Sequence, residues 1–308
     1  MNDMTPIQRL TKDLANAART MTSTEARFLV DAYYIMQDAR IRAEGQVRSI
    51  DKTPVEIVAT EDGDDVPVHE PHGVLSWFSK QNADMEGQIK RALEKYVDSH
   101  VMGDWLTGIY GIGPVIAAGL VAHISMEWME CSVCHKKEGG LKPCKCDAPF
   151  VRKTCATAGQ IHRFAGLDPT SKWEKKTKRP WNAELKVLCW KAGESFVMFH
   201  KNEKCFYGKV WAAQKAVYKE RNERGDYAER SAQILLDRKF KKDTDAYKAY
   251  ITGKFPPAHI HAMARRYAVK MFLSHLHGEM HRRILGTEPP LPYPIAHMGH
   301  AHFIAPPK

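Results

Sequence analysis

No run of apolar residues in this chain of 308 reaches the roughly 20 residues that a membrane-spanning helix needs. The first residues, MNDMTPIQRLTKDL, lack the apolar core of a secretory signal peptide. A disulfide framework is missing too. The cysteines number seven, an odd count, and five of them crowd between Cys131 and Cys155. These absences lead us to expect a soluble, cytoplasmic protein with no membrane partner, whose clustered thiols bind metal rather than one another. Acidic residues are scarce after residue 100. Residues 1–100 hold 12 Lys+Arg and 17 Asp+Glu, a net of −5; the remainder holds 34 and 19, a net of +15. A basic C-terminal two-thirds points to a polyanion partner, and DNA would make the protein nucleoid-associated.

Apolar residues make up 44% of the chain, ordinary for a globular core. Their spacing is helical nearly throughout, so the expected fold is mainly α, a helical bundle. In residues 4–50, Leu10, Leu14 and Ala17, then Phe28, Leu29, Tyr33, Ile35 and Met36, recur at three- and four-residue steps. Thr22-Ser23-Thr24-Glu25 offers the second helix a capped start. The pattern breaks over residues 51–73. Val55 to Val58 reads as a short strand, and the acidic cluster from Glu61 to Asp65 with Pro67 and Pro71 reads as a linker, near 59–73. Residues 74–101 return to helix, with Leu75, Trp77, Phe78, Ile89, Leu93, Tyr96 and Val97 as the expected buried face.

The rest of the chain reads outward from Leu106 to Ile124, LTGIYGIGPVIAAGLVAHI. One helix ends before Gly111. Gly111-Ile112-Gly113 turns, and Pro114 suits the first position of the next helix. Glycines at a helix N-terminus leave backbone N–H donors open to an anion. These residues resemble a helix-hairpin-helix motif, which grips nucleic-acid phosphates without reading bases. The competing reading is a buried helical hairpin whose glycines permit close packing.

Cys131-x-x-Cys134 and Cys144-x-Cys146 follow at once. Two short-spaced thiolate pairs can surround one zinc ion tetrahedrally, and four protein ligands make such a site structural. The expected zinc loop spans residues 131–155, with His135 and Cys155 as alternative ligands and Lys136, Lys137, Lys142 and Lys145 as basic contacts. Further on, Lys172, Lys175, Lys176, Lys178 and Arg179 interleave with Trp173 and Trp181. Cations neutralise phosphates, and aromatic faces stack on unpaired bases. Trp190, in LKVLCWKAGESF, is expected in the core; Trp173 is left open.

The hairpin, the insertion, Arg163-Phe-Ala-Gly-Leu-Asp-Pro169, the basic loop and the helix from Asn182 together resemble the C-terminal domain of one insertion-sequence transposase family. That family pairs a RuvC-like nuclease domain with a small transposase domain and is guided by a bridge RNA. The resemblance covers residues 105–200. It implies DNA as partner, admits RNA and a homo-oligomer, and places a nucleophilic serine after the AGL-x-P element, where Ser171 is the only serine and no glycine follows it. Residues 1–100 read as helical and offer no RuvC-like acidic pattern.

Three regions are therefore expected: a helical one at 1–100, a hairpin domain with the zinc loop at 101–200, and a basic helical region at 201–308. The last has long charged helices to residue 250, a break at Phe255-Pro256-Pro257, a helix over 258–285, and a Pro/His-rich tail. Most of its histidines, from His259 to His302, are expected in packing and polar contacts, since neither His275 and His277 nor His259 and His261 can share a helix face; a second metal site is the alternative. The function expected is transposase-related nucleic-acid binding. The alternatives are a strand-transfer enzyme using Ser171, and an assembly protein using the hairpin for packing.

Overall fold

The computed structural model describes residues 9–50, 57–59, 65–67, 72–138, 144–291, 295–296 and 303–307. The protein is mainly helical. No helix among the described residues is long and apolar enough to cross a membrane. Contacts divide the chain into two compact units. Unit 1 comprises Met1–Gly103 and Pro114–His123; unit 2 comprises Asp104–Gly113 and Ile124–Lys308. The expected boundary at 200 falls inside unit 2.

Unit 1 begins with α1 (Lys12–Ala17), capped by the Thr11 side chain, which accepts from the Leu14 N–H. A 3-10 turn (Ala18–Thr20) leads to α2 (Ser23–Ile50). The start of α2 is a capping box: the Thr22 N–H donates to Glu25 Oε2 at 2.7 Å, and the Glu25 N–H donates back to Thr22 Oγ1 at 3.2 Å. Strands β1 (Ile57–Ala59) and β2 (Asp65–Pro67) pair antiparallel, in place of the single strand expected near residue 57. The acidic residues at 61, 62 and 64 lie outside the described residues. Helix α3 (His72–Asp98) packs along α2. Then α4 (Gly103–Gly108) opens unit 2, and α5 (Pro114–His123) returns to unit 1, where it packs on both α2 and α3. A helix that is apolar all round belongs in a core. From Ala117 to His123, α5 is buried without interruption.

That central helix decides which face of its neighbours is inside. Ala117 and Ala118 of α5 are buried, as are Ala26, Val30 and Ala43 of α2. The larger residues of the expected stripe are displaced from the core: Phe28 is 72% exposed, and Ile35 also faces solvent. On α3, Leu93, Tyr96 and Val97 are buried as expected, whereas Trp77 and Phe78 are more than a third exposed. Arg40 of α2 holds Glu86 of α3 at 2.8 Å, and Gln37 adds a bond of 3.1 Å to the same carboxylate. Gly103 ends the unit. An added Cβ there would overlap the Val97 carbonyl oxygen, so only glycine permits this exit.

Unit 2 holds α4, a β-hairpin and six further helices among the described residues. Strand β3 (Glu127–Cys131) pairs antiparallel with β4 (Phe150–Thr154). Then come α6 (Ala158–Phe164), α7 (Ala183–Met198), α8 (Phe206–Glu223), α9 (Ala228–Asp237), α10 (Asp245–Ile251) and α11 (Pro257–Met280), which ends in a π-turn (His281–Leu285). Helix α11 is the axis on which α6, α7 and α8 pack. The core is aromatic. Phe196, Tyr207 and Phe272 meet with ring centroids 5.0 to 5.5 Å apart, and Trp105 of α4 stacks on Phe272. A second cluster gathers Tyr227, Tyr250, Phe255 and Ile260.

Candidate metal centre and nucleic-acid interface

The β3–β4 hairpin builds the cysteine site. Cys131 closes β3 opposite Phe150, and its N–H donates to the Lys136 carbonyl at 2.9 Å, so the chain doubles back at once. That reversal needs a left-handed residue; His135 takes it, with φ 56°. The Cys134 N–H points at Cys131 Sγ, and the Cys146 N–H at Cys144 Sγ. The four sulfurs of Cys131, Cys134, Cys144 and Cys146 all lie within 4.8 Å of one another, and none is in a disulfide. Tetrahedral zinc with Zn–S bonds of about 2.3 Å separates its sulfurs by about 3.8 Å. The donor set therefore fits a metal ion. Protonation agrees. N–H groups of Cys134 and Val133 hold the Cys131 thiol down to about 6, while sharing with the Cys134 and Cys144 thiols pushes Cys146 up to about 12. One thiolate is tolerated there; four require a cation.

The alternative ligands lie elsewhere. His135 turns its ring to Glu130, 3.3 Å away, and is mostly exposed. Cys155 is buried, its thiol facing the Thr157 carbonyl. Residues 139–143, including the expected basic contact Lys142, lie outside the described residues.

Helices α4 and α5 flank the expected turn and are joined by the five residues 109–113, but the compact units divide them: most of α4 belongs to unit 2 and α5 to unit 1. The turn residues differ in role. Gly111 has φ 99°, and its carbonyl accepts from Ser195 Oγ at 2.6 Å; an added Cβ would press on Ser195 and Phe196. Ile112 is buried, and its N–H donates to the Ile109 carbonyl. Gly113 is exposed, with open space where a Cβ would be. Of the three, Gly113 is the most exposed, Gly111 being partly buried and Ile112 fully so.

The basic loop is open along its length. Lys172, Lys175, Lys176, Lys178 and Arg179 are all exposed, and none forms an ion pair among the described residues. Arg179 lies over the Trp173 ring at 5.3 Å, and Trp173 is 42% exposed. Lys186 covers the Trp181 ring at 4.1 Å, packed beside Gly166. Ser171 is half-buried, and its hydroxyl donates to Asp168 Oδ2 at 3.3 Å. The backbone and hydroxyl of Thr170 hold that carboxyl below its usual range, so Asp168 caps a turn and is a weak base. No histidine is hydrogen-bonded to Ser171 among the described residues.

Trp190 corrects an expectation. It is 50% exposed, because the inner face of α7 is Leu185, Leu188, Cys189, Ala192 and Phe196. That stripe is legible in the sequence, and Trp190 falls beside it. Histidines serve packing. His275 accepts from the Tyr207 hydroxyl at 2.8 Å and donates to the Ile304 carbonyl at 2.8 Å. His277 and His281 both reach the Cys155 carbonyl, tying α11 and its π-turn to the residue that follows β4. His297, His300 and His302 lie outside the described residues. No protein-family model, curated protein or solved structure matches this chain.

Proposed function

We propose that this is a nucleic-acid-binding protein of a transposase-related kind, and that unit 2 grips phosphates through the basic loop and the exposed Gly113 turn. The observation that carries this reading is the row of five exposed cations from Lys172 to Arg179, without ion-pair partners among the described residues. Unpaired, solvated cations release counterions when they meet a polyanion, which gives affinity without sequence preference. A zinc ion on Cys131, Cys134, Cys144 and Cys146 would fix the β3–β4 hairpin, a structural role that leaves no open coordination position. DNA is the partner that the resemblance implies. Chemistry on Ser171 is not part of the proposal, since among the described residues the serine's one side-chain partner is a carboxylate of low basicity.

The test is a fluorescence-anisotropy titration of zinc-loaded protein against duplex DNA at low and moderate salt. Binding should weaken steeply as salt rises. Salt-independent binding, or none at low salt, would overturn the reading and leave the hairpin as a packing element.

A further inference from the structure

Away from the basic loop, unit 2 carries a groove of about 510 Å³ between α8 and α11. Lys215 and Lys219 line it from α8; Pro257, His261 and Arg265 line it from α11. No carboxylate lines it. The two lysines are one helical turn apart on the same face of α8. Beneath them lies Trp211, with Lys215 Nζ 4.6 Å from its ring centroid and the His261 ring against it edge-on. Trp211 is almost fully buried, yet its indole N–H has no hydrogen-bond partner among the described residues. Burial and Lys215 lower the His261 pKa, so the imidazole is a neutral hydrogen-bonding group near pH 7.

Arg265 carries the groove over to α7. Gly193 makes room for it: an added Cβ would lie 2.8 Å from Arg265 Cγ and 2.9 Å from Val269. The guanidinium, oriented by its ion pair with Glu194, then sits 5.3 Å from the centre of the Trp190 ring. One arginine thus joins a cationic groove to a half-exposed indole. That pairing selects among polyanions. A duplex hides the faces of its bases, whereas a single strand offers a phosphate track and free π-faces together.

We propose that this groove, with Trp190 at its rim, binds single-stranded nucleic acid: Lys215 and Lys219 neutralise phosphates of one strand, and Trp190, braced on one face by Arg265, stacks on an unpaired base. This rests on the nucleic-acid reading above but uses different residues. It is tested by anisotropy with a labelled 16-nucleotide oligothymidine and, in parallel, a mixed-sequence duplex. The Lys215→Glu/Lys219→Glu variant should bind the single strand about tenfold or more weakly, with a shallower salt slope. Trp190→Ala should weaken it about fivefold or more, and Trp190→Phe should restore most of the loss. Duplex binding should stay within about twofold in all three, since the basic loop is untouched. Single-strand affinity unchanged in both the double variant and Trp190→Ala would overturn the inference. So would a wild-type protein that binds duplex alone, which leaves the proposed function standing. Wild-type protein that binds neither form would overturn both. The variants alter exposed or half-exposed groups, and matching circular dichroism spectra would confirm that the fold is kept.

Discussion

The two compact units are opposites in charge and in core. Residues 101–103 and 114–123 carry no Lys, Arg, Asp or Glu, so unit 1 keeps the net of −5 and unit 2 the net of +15. Unit 1 packs long helices around α5 with alanines and aliphatics: Ala26, Val30, Leu93, Ala118 and Leu120. Unit 2 packs shorter helices around α11 with Phe196, Tyr207 and Phe272. Small residues let long helices run close together; aromatic rings fill the wider gaps where short helices meet. The net positive charge, the half-exposed Trp173 and Trp190 and the cysteine cluster fall in unit 2, and the proposed binding is assigned there.

The largest effect that would sharpen this contrast is metal removal. Chelation, or Cys131→Ser, should abolish a stoichiometric zinc signal by elemental analysis and unfold the β3–β4 hairpin, since structural zinc is worth on the order of 10 kcal/mol to the segment it holds. Six of the seven tryptophans lie in unit 2, Trp77 being the exception, so fluorescence follows unit 2. Retained zinc in Cys131→Ser would break the four-thiolate assignment.

Core truncation comes next. Phe272→Ala should destabilise unit 2 by about 3–5 kcal/mol, because the rings of Phe196, Tyr207 and Trp105 rest on that side chain. Leu93→Ala should cost unit 1 about 2–5 kcal/mol. Denaturant titrations followed by fluorescence and by circular dichroism should separate the two, and identical shifts by both probes would contradict two independently packed cores.

Much of this was readable beforehand, and the failures share a cause. The apolar α5, the Thr22 capping box and the four cysteines were legible because each depends on local spacing. Phe28, Trp77 and Trp190 were misplaced because periodicity shows that a helix has an apolar face but not which neighbour covers it. Phe28 lost its place to Ala26 and Val30, which fit the close approach of α5. The groove of Lys215, Lys219 and Arg265 joins residues more than 40 positions apart, through a glycine at 193 whose purpose emerges only when α7 meets α11.

Charge reversal is the third test. Lys175→Glu/Lys176→Glu/Lys178→Glu should weaken duplex DNA binding about tenfold or more, whereas Lys90→Glu/Lys95→Glu in unit 1 should change it less than about twofold. Equal losses would erase the functional distinction between the units.

Acid should then separate them modestly. Burial lowers the pKa of His123 and His100 in unit 1, His123 to about 4. In unit 2 it lowers His162 and His259 to about 4, and His261, His275 and His277 as well. Each favours the neutral imidazole, so the unfolded chain binds more protons between about pH 6.5 and 4. The stability they contribute is full above about pH 6.5 and is lost as pH falls toward 4. Unit 2 should lose more, read as a steeper fall in the fluorescence melting temperature than in that of unit 1. The smallest effect belongs to Ser171→Ala, which should leave binding within about twofold, since its hydroxyl only closes a turn on Asp168.

The most direct test of where nucleic acid is held is photo-crosslinking of the full chain to DNA carrying halogenated pyrimidines, followed by peptide mapping. Adducts on Trp173 and the peptides of residues 172–179 are the expected result. Adducts confined to α2 and α3 of unit 1, with the basic loop unmodified, would contradict the assignment of function to unit 2.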